Sequence, residues 1–353
     1  MDVERFCQQS NVVVVVGKGG VGKTTVTAAL ALAAARSGLD VLVVALDDSG
    51  ALPGLFGVEE AFGYEEVVLR PGGNRARPVE RAVAGDTAGT EATAPGDGQG
   101  DGGGGPERVA GRVRGRVLTS DAALIEYLVE HGLGRVSRRL ASSGALDVVA
   151  TAIPGVEEVL VLGKLKQLER AQVADVVLLD APATGHAVTF LTSSGGLVDA
   201  ARGGPLRTQA EQVVELLTDP ARCQALLVTI PEETPVNELV ETAFRLEDEV
   251  GVALGPVVVN GCYPVLTHLG TDPAAAAAAA GVPAPGPETA ERLRSAAAFR
   301  ESHQELQQIQ LQRLSRELPL AQLRLPYLFS ASIGPGEIGT LAGALAESIA
   351  DLP

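Results

Sequence analysis

The chain has 353 residues, 28 of them basic and 44 acidic, for a formal charge of -16, and that length suits one large α/β core with insertions or two domains. So negative a surface repels a phosphate backbone and an anionic lipid face alike, which argues against nucleic acid or a membrane surface as partner. Three widely spaced cysteines, Cys7, Cys223 and Cys262, offer no disulfide framework, and neither a leader nor an apolar run of about 18 residues is found, so a cytoplasmic protein with no membrane span is expected.

Five successive valines, Val12 to Val16, predict a strand buried on both faces. After a glycine-rich loop, the alanine-rich stretch Thr24 to Arg36 predicts a helix that stops at Gly38. A second strand is predicted from Val41 to Leu46, ending in Asp47 and Asp48. This βαβ order calls for a parallel sheet with a right-handed crossover. From Pro71 to Pro106 the composition turns to glycine, proline and small polar residues, too few large apolar groups to offset chain entropy, and a disordered insertion over 71–106 is expected. Beyond it Ser120 can cap a helix with Leu124, Ile125, Leu128 and Val129 on one face, and Val156 to Leu168 carries a similar stripe, which together predict a helical insertion over 119–170. The apolar runs Val176 to Leu179, Leu226 to Ile230 and Val257 to Val259 predict further buried strands. A second helix-rich insertion, 272–317, contains AAAAAAAG and the glutamine-rich HQELQQIQLQ. The whole, 1–353, reads as a single α/β domain, a doubly wound, mainly parallel sheet with helical insertions.

Between the first strand and its helix, GKGGVGKTT fits G-x-x-x-x-G-K-[ST] at Gly17, Gly22, Lys23 and Thr24. Glycines let the backbone wrap an anion, so the amides of Gly17, Gly19, Gly20, Val21, Gly22, Lys23, Thr24 and Thr25 are the candidate cradle, with the positive end of the following helix behind them. Lys23 would reach the β- and γ-phosphates of ATP, and the Thr24 hydroxyl would bind Mg²⁺. The plain alternative is a glycine-rich turn with two solvated lysines.

Lys18 has no evident task in cradling phosphate within one chain, and a charge placed there costs desolvation unless it meets an anion. With that lysine, the loop resembles the deviant phosphate-loop ATPases, and most of all the arsenite-pump-driving and tail-anchored-protein-targeting ATPase family, over nearly the whole chain outside the low-complexity insertion. The resemblance implies ATP and Mg²⁺ as cofactors and a dimer, with itself or with a paralogue, in which Lys18 reaches the partner's phosphates. It also implies a protein or membrane-transport component as client. VVLLDAPATGHAV is similar to the family's DTAPTGH segment, which implies that Asp180 holds Mg²⁺ through water. GPVVVNGCYP resembles the strand whose asparagine, here Asn260, reads the adenine edge, and LPYLFS near Pro326 stands where the family has its second adenine-side loop. Ser143 to Leu168 resembles the helical block between the two switches. Where the family carries DPAH, this chain has LDDSGALPGLFG, with Asp47 in place of the water-positioning aspartate and Asp48 either a second carboxylate or a solvated turn residue. No CxxC is present and the one methionine is Met1, so thiolate metalloid or zinc chemistry and a methionine-rich client groove have no counterpart. Of His131, His186, His268 and His303, only His186 lies beside the expected site. Alternative readings are a partition or positioning ATPase of the same deviant group, a weakly active pseudo-ATPase subunit of a hetero-oligomer, and a redox enzyme on the same fold.

Overall fold

A computed structural model describes residues 1–46, 51–60, 63–72, 110–130, 132 and 155–352. Asp47, Asp48 and His131 lie outside the described residues, as do 73–106 of the expected disordered insertion and 133–154 of the expected helical one.

The valine run forms β1 (Val12–Gly17), buried along its whole length. Successive side chains point to opposite faces, so Val12, Val14 and Val16 enter one core while Val13 and Val15 enter the other. Each such burial contributes on the order of 1.5 kcal/mol over exposure. Parallel neighbours flank it: β5 (Val176–Ala183) on one side and β6 (Cys223–Thr229) on the other. With β2 (Val41–Ala45), β3 (Val67–Arg70), β4 (Val113–Val117), β7 (Ala253–Cys262) and β8 (Gln322–Pro326), the described residues build an eight-stranded sheet in the order β3-β4-β2-β5-β1-β6-β7-β8. All pairs are parallel except β3 with β4. The sheet is thus α/β and doubly wound, as the sequence predicts.

The β3–β4 pair is missing from the sequence reading, and the reason is chemical. VRGRV carries an arginine at every second position, a pattern that reads as a solvated loop. In the fold, Arg116 is buried with its guanidinium 4.5 Å over the Tyr64 ring and Arg114 pairs with Glu66, so the stems pack while the charged ends find partners.

One face of the sheet is covered by α1 (Val3–Cys7), α2 (Lys23–Arg36), α3 (Ala51–Leu55) and α11 (Pro335–Ala350). The other is covered by α4 (Ser120–Glu130), α5 (Val156–Arg170), α6 (Thr184–Ala200), α7 (Pro205–Thr218), α8 (Glu233–Arg245) and the end of α10 (Pro287–Glu317), which follows α9 (Pro273–Ala280). In α2 every residue from Val26 to Ala35 is buried. A helix that is apolar all round belongs inside, and alanines let it fit between the sheet and α11. The stretch 272–317 becomes α9 and α10, helical as expected; the 31 residues of α10 span about 46 Å. No helix among the described residues is long and apolar enough to cross a membrane. Because the strands run parallel, the ends of β1, β5, β7 and β8 open at one edge, where a doubly wound sheet places its ligands.

Candidate functional site

Residues 18–22 leave β1 and turn directly into α2. Gly17 sits against β6: a Cβ there would lie 2.3 Å from the Val228 carbonyl oxygen. Gly20 and Gly22 have φ of +88° and +87°, a left-handed conformation that glycine adopts without steric cost. Gly22 is the N-cap of α2 and no side chain caps that end, so the first amides of the helix and its positive pole face the loop. These features fit a phosphate chain: glycines let the backbone wrap an anion closely, and an uncapped helix N-terminus leaves amides to donate to it.

The side chains around it come from far along the sequence. Thr24 Oγ1 donates to Asp180 Oδ2 at 2.7 Å. Asp180 lies in β5 opposite Val15 of β1, so the parallel register delivers its carboxylate to the start of α2. Buried Thr27 donates to the Lys23 carbonyl at 3.0 Å and stands 3.4 Å from Asp180 Oδ1. A hydroxyl and a carboxylate are hard oxygen donors of the kind that suit Mg²⁺. Lys23 Nζ donates to the Lys18 carbonyl at 3.3 Å, folded back along the loop. Lys18 Nζ meets Glu238 Oε1 of α8 at 2.5 Å. Asn260, at the end of β7, donates through Nδ2 to the Val21 carbonyl at 2.9 Å, which spends one amide donor on the loop and leaves the amide oxygen for a ligand. Gly19 lies against Ala183, 3.9 Å from Cβ to Cβ were it alanine.

Gly20, Val21, Gly22, Thr25, Asn260 and Pro326 share the lining of one cavity of about 390 Å³. The structure therefore brings together the loop, Asn260 and Pro326, three segments that the sequence reading associated only through resemblance. Its aromatic wall was not anticipated. Tyr263 stacks on Tyr327 with centroids 4.3 Å apart and planes 12° apart, and His303 meets Tyr263 edge-on at 4.4 Å. Tyr263 and Tyr327 fall within the quoted GCYP and LPYLFS segments, so proximity to Asn260 and Pro326 could have singled them out. Nothing in the sequence around His303 points to the loop. The expectation that only His186 lies beside the site is corrected: His303 lines the loop cavity, whereas His186 lines a second cavity of about 460 Å³ with Leu46, Leu118, Ser120 and Phe190. No cluster of three or more His, Cys, Asp or Glu among the described residues could hold a metal ion. Burial pushes the Cys7 and Cys223 thiols up to about 12 and that of Cys262 to about 11, far from the thiolate that soft metals require.

Residues 12–315 match the family described as CobQ/CobB/MinD/ParA nucleotide binding domain. The chain is 32% identical over 257 residues to ATPase BagA of Mycobacterium tuberculosis, covering 71% of this chain and 64% of that one. It is 28% identical over 262 residues to the arsenical pump-driving ATPase of Acidiphilium multivorum, covering 70% and 39%, and 27% identical over 262 residues to that of Escherichia coli, with the same coverage. The chain spans less than two thirds of the length of these relatives. With a glycine loop at the end of a central parallel strand and an aspartate on its neighbour, the chain belongs to the family of CobQ/CobB/MinD/ParA nucleotide-binding domains, and within it resembles the arsenical pump-driving ATPases.

Proposed function

We propose that this protein binds ATP with Mg²⁺, hydrolyses it, and uses the cycle to open and close a dimer, with itself or a paralogue, that handles a protein or transport component in the cytoplasm. The single observation that carries this reading is the Thr24–Asp180 hydrogen bond of 2.7 Å, which joins a hydroxyl and a carboxylate, both hard oxygen donors, from positions 156 residues apart beside the glycine loop. When bound there, Mg²⁺ would neutralise charge on the β- and γ-phosphates. The chain's own groups do the rest. Amides of residues 17–25 hold the phosphates, and Lys23 swings from the Lys18 carbonyl to the terminal oxygens. Asp180 accepts from Thr24 and fixes its hydroxyl. In this reading Asp47 orients the attacking water, and Lys18 leaves Glu238 to meet the phosphates of a second chain, where its charge stabilises the transferring phosphoryl group.

The test is phosphate release and ATP binding with and without EDTA, in wild type, Asp180→Asn and Lys23→Ala. Asp180→Asn should lose at least tenfold in Mg²⁺-dependent turnover, and Lys23→Ala should lose nucleotide affinity. Turnover that ignores both EDTA and the Asp180 substitution would overturn the reading.

A further inference from the structure

The glutamine-rich stretch of α10 has no task in the function proposed above. Residues 300, 303, 304 and 307 are spaced i, i+3, i+4 and i+7 and so share one face of that helix. All four meet the short segment Tyr263–Leu266 that follows β7. Gln307 Oε1 accepts from the Tyr263 N–H at 2.9 Å while its Nε2 donates to the Tyr263 carbonyl at 3.2 Å. One side-chain amide thus satisfies both main-chain groups of a single residue, as a neighbouring strand would. Gln304 repeats the arrangement at Leu266, accepting at 2.7 Å and donating at 3.2 Å. Arg300 donates to the Pro264 carbonyl at 2.8 Å and stands 4.5 Å over the Tyr263 ring. Gln307 is only 6% exposed, and a buried amide is costly unless it is paired this fully.

The clamped residue is the one that builds the cavity wall. Tyr263 stacks on Tyr327, and both rings line the cavity that opens onto Gly20 and Gly22. We infer that Gln304 and Gln307 are positioning residues of the nucleotide site: they hold Tyr263, whose two faces carry Arg300 and Tyr327, and so fix the Tyr327 ring in the cavity wall as a stacking platform for the nucleobase. Aromatic faces bind bases through π-stacking regardless of base edge, so α10 sets the affinity for the base and leaves the phosphates to the loop. The inference rests on the ATP-binding reading and adds the base platform and its support.

The experiment compares Mg²⁺-dependent binding of ATP and of inorganic tripolyphosphate, which has the phosphates but no base, to the full chain. Gln307→Leu and Gln304→Ala should each weaken ATP about tenfold, the scale of two lost hydrogen bonds, with tripolyphosphate unchanged. Gln304 is partly exposed, so its alanine variant still decides the matter if Gln307→Leu does not fold. Equal losses for both ligands, or an unchanged ratio in both variants, overturn the inference. Wild type binding ATP and tripolyphosphate while the variants keep their ratio would sink only the role of α10; wild type binding neither would sink the proposed function and this inference with it.

Discussion

At the scale of single residues, the site is held by contacts that leave little room for substitution. Gly22→Ala would have to keep φ near +87° and would place Cβ 2.4 Å from Asn260 Nδ2. The left-handed backbone alone costs about 1–2 kcal/mol, and the displaced Asn260 gives up its bond to Val21. Chemical denaturation should report the stability loss, and ATP titration a weaker complex. Lys18 and Glu238 differ in kind. Their side chains are 34% and 39% exposed, so the pair is worth at most about 1 kcal/mol and can open readily. Glu238→Gln should therefore leave stability within about 0.5 kcal/mol of wild type. If Lys18 serves a second chain, the same variant should favour ATP-dependent dimers in sedimentation, whereas Lys18→Ala should bind ATP but fail to dimerise. The lysine and its odd position were legible from the loop; its partner Glu238, 220 residues away, was not, because a surface pairing on α8 leaves no pattern in the chain.

Among elements, the two edges of the sheet do different work. The edge at which β1, β5, β7 and β8 end carries the site. At the opposite edge, Glu169 of α5 accepts from Arg222 at 2.6 and 3.1 Å and from Asn11 at 3.0 Å, which ties the helix to the starts of β6 and β1. Burial pushes the Glu169 carboxyl up, but the hydrogen bonds from Arg222 and Asn11 outweigh it and hold it below the usual range. A carboxyl depressed on folding stabilises above its unfolded value of about 4.3 and loses that contribution as pH falls through the folded value. Arg222→Ala leaves a buried carboxylate without its guanidinium and should cost about 3 kcal/mol at neutral pH. The gap to wild type should narrow below about pH 4, since protonation removes the charge the guanidinium served. Urea titrations at pH 7 and pH 3 measure this, and a constant gap would show that the ion pair is not its source. The strand-like runs of valine announced β1, β2, β5 and β7 because a buried parallel strand is apolar at every position. By the same logic β4, with its arginines, went unseen.

For the molecule as a whole, ligand binding and folding are linked. A ligand that binds the folded chain alone stabilises it by about 2.7 kcal/mol at 100 times its dissociation constant. A non-cleavable ATP analogue with Mg²⁺ should therefore raise the thermal midpoint, EDTA should remove part of the rise, and Asp180→Asn should lose the Mg²⁺-dependent part. No shift in wild type at millimolar ligand would contradict nucleotide binding. The sequence by itself determined the glycine loop, the central strands, the helix behind the loop and the helix-rich character of 272–317, because each depends on the period and size of neighbouring side chains. Only the tertiary structure decided which distant groups meet there: Asp180 at Thr24, Asn260 at Val21 across 239 residues, and Gln307 at Tyr263 across 44. Those meetings follow from strand order, register and the direction in which a long helix returns to the sheet, and these are settled by packing of the whole core and not by any local pattern.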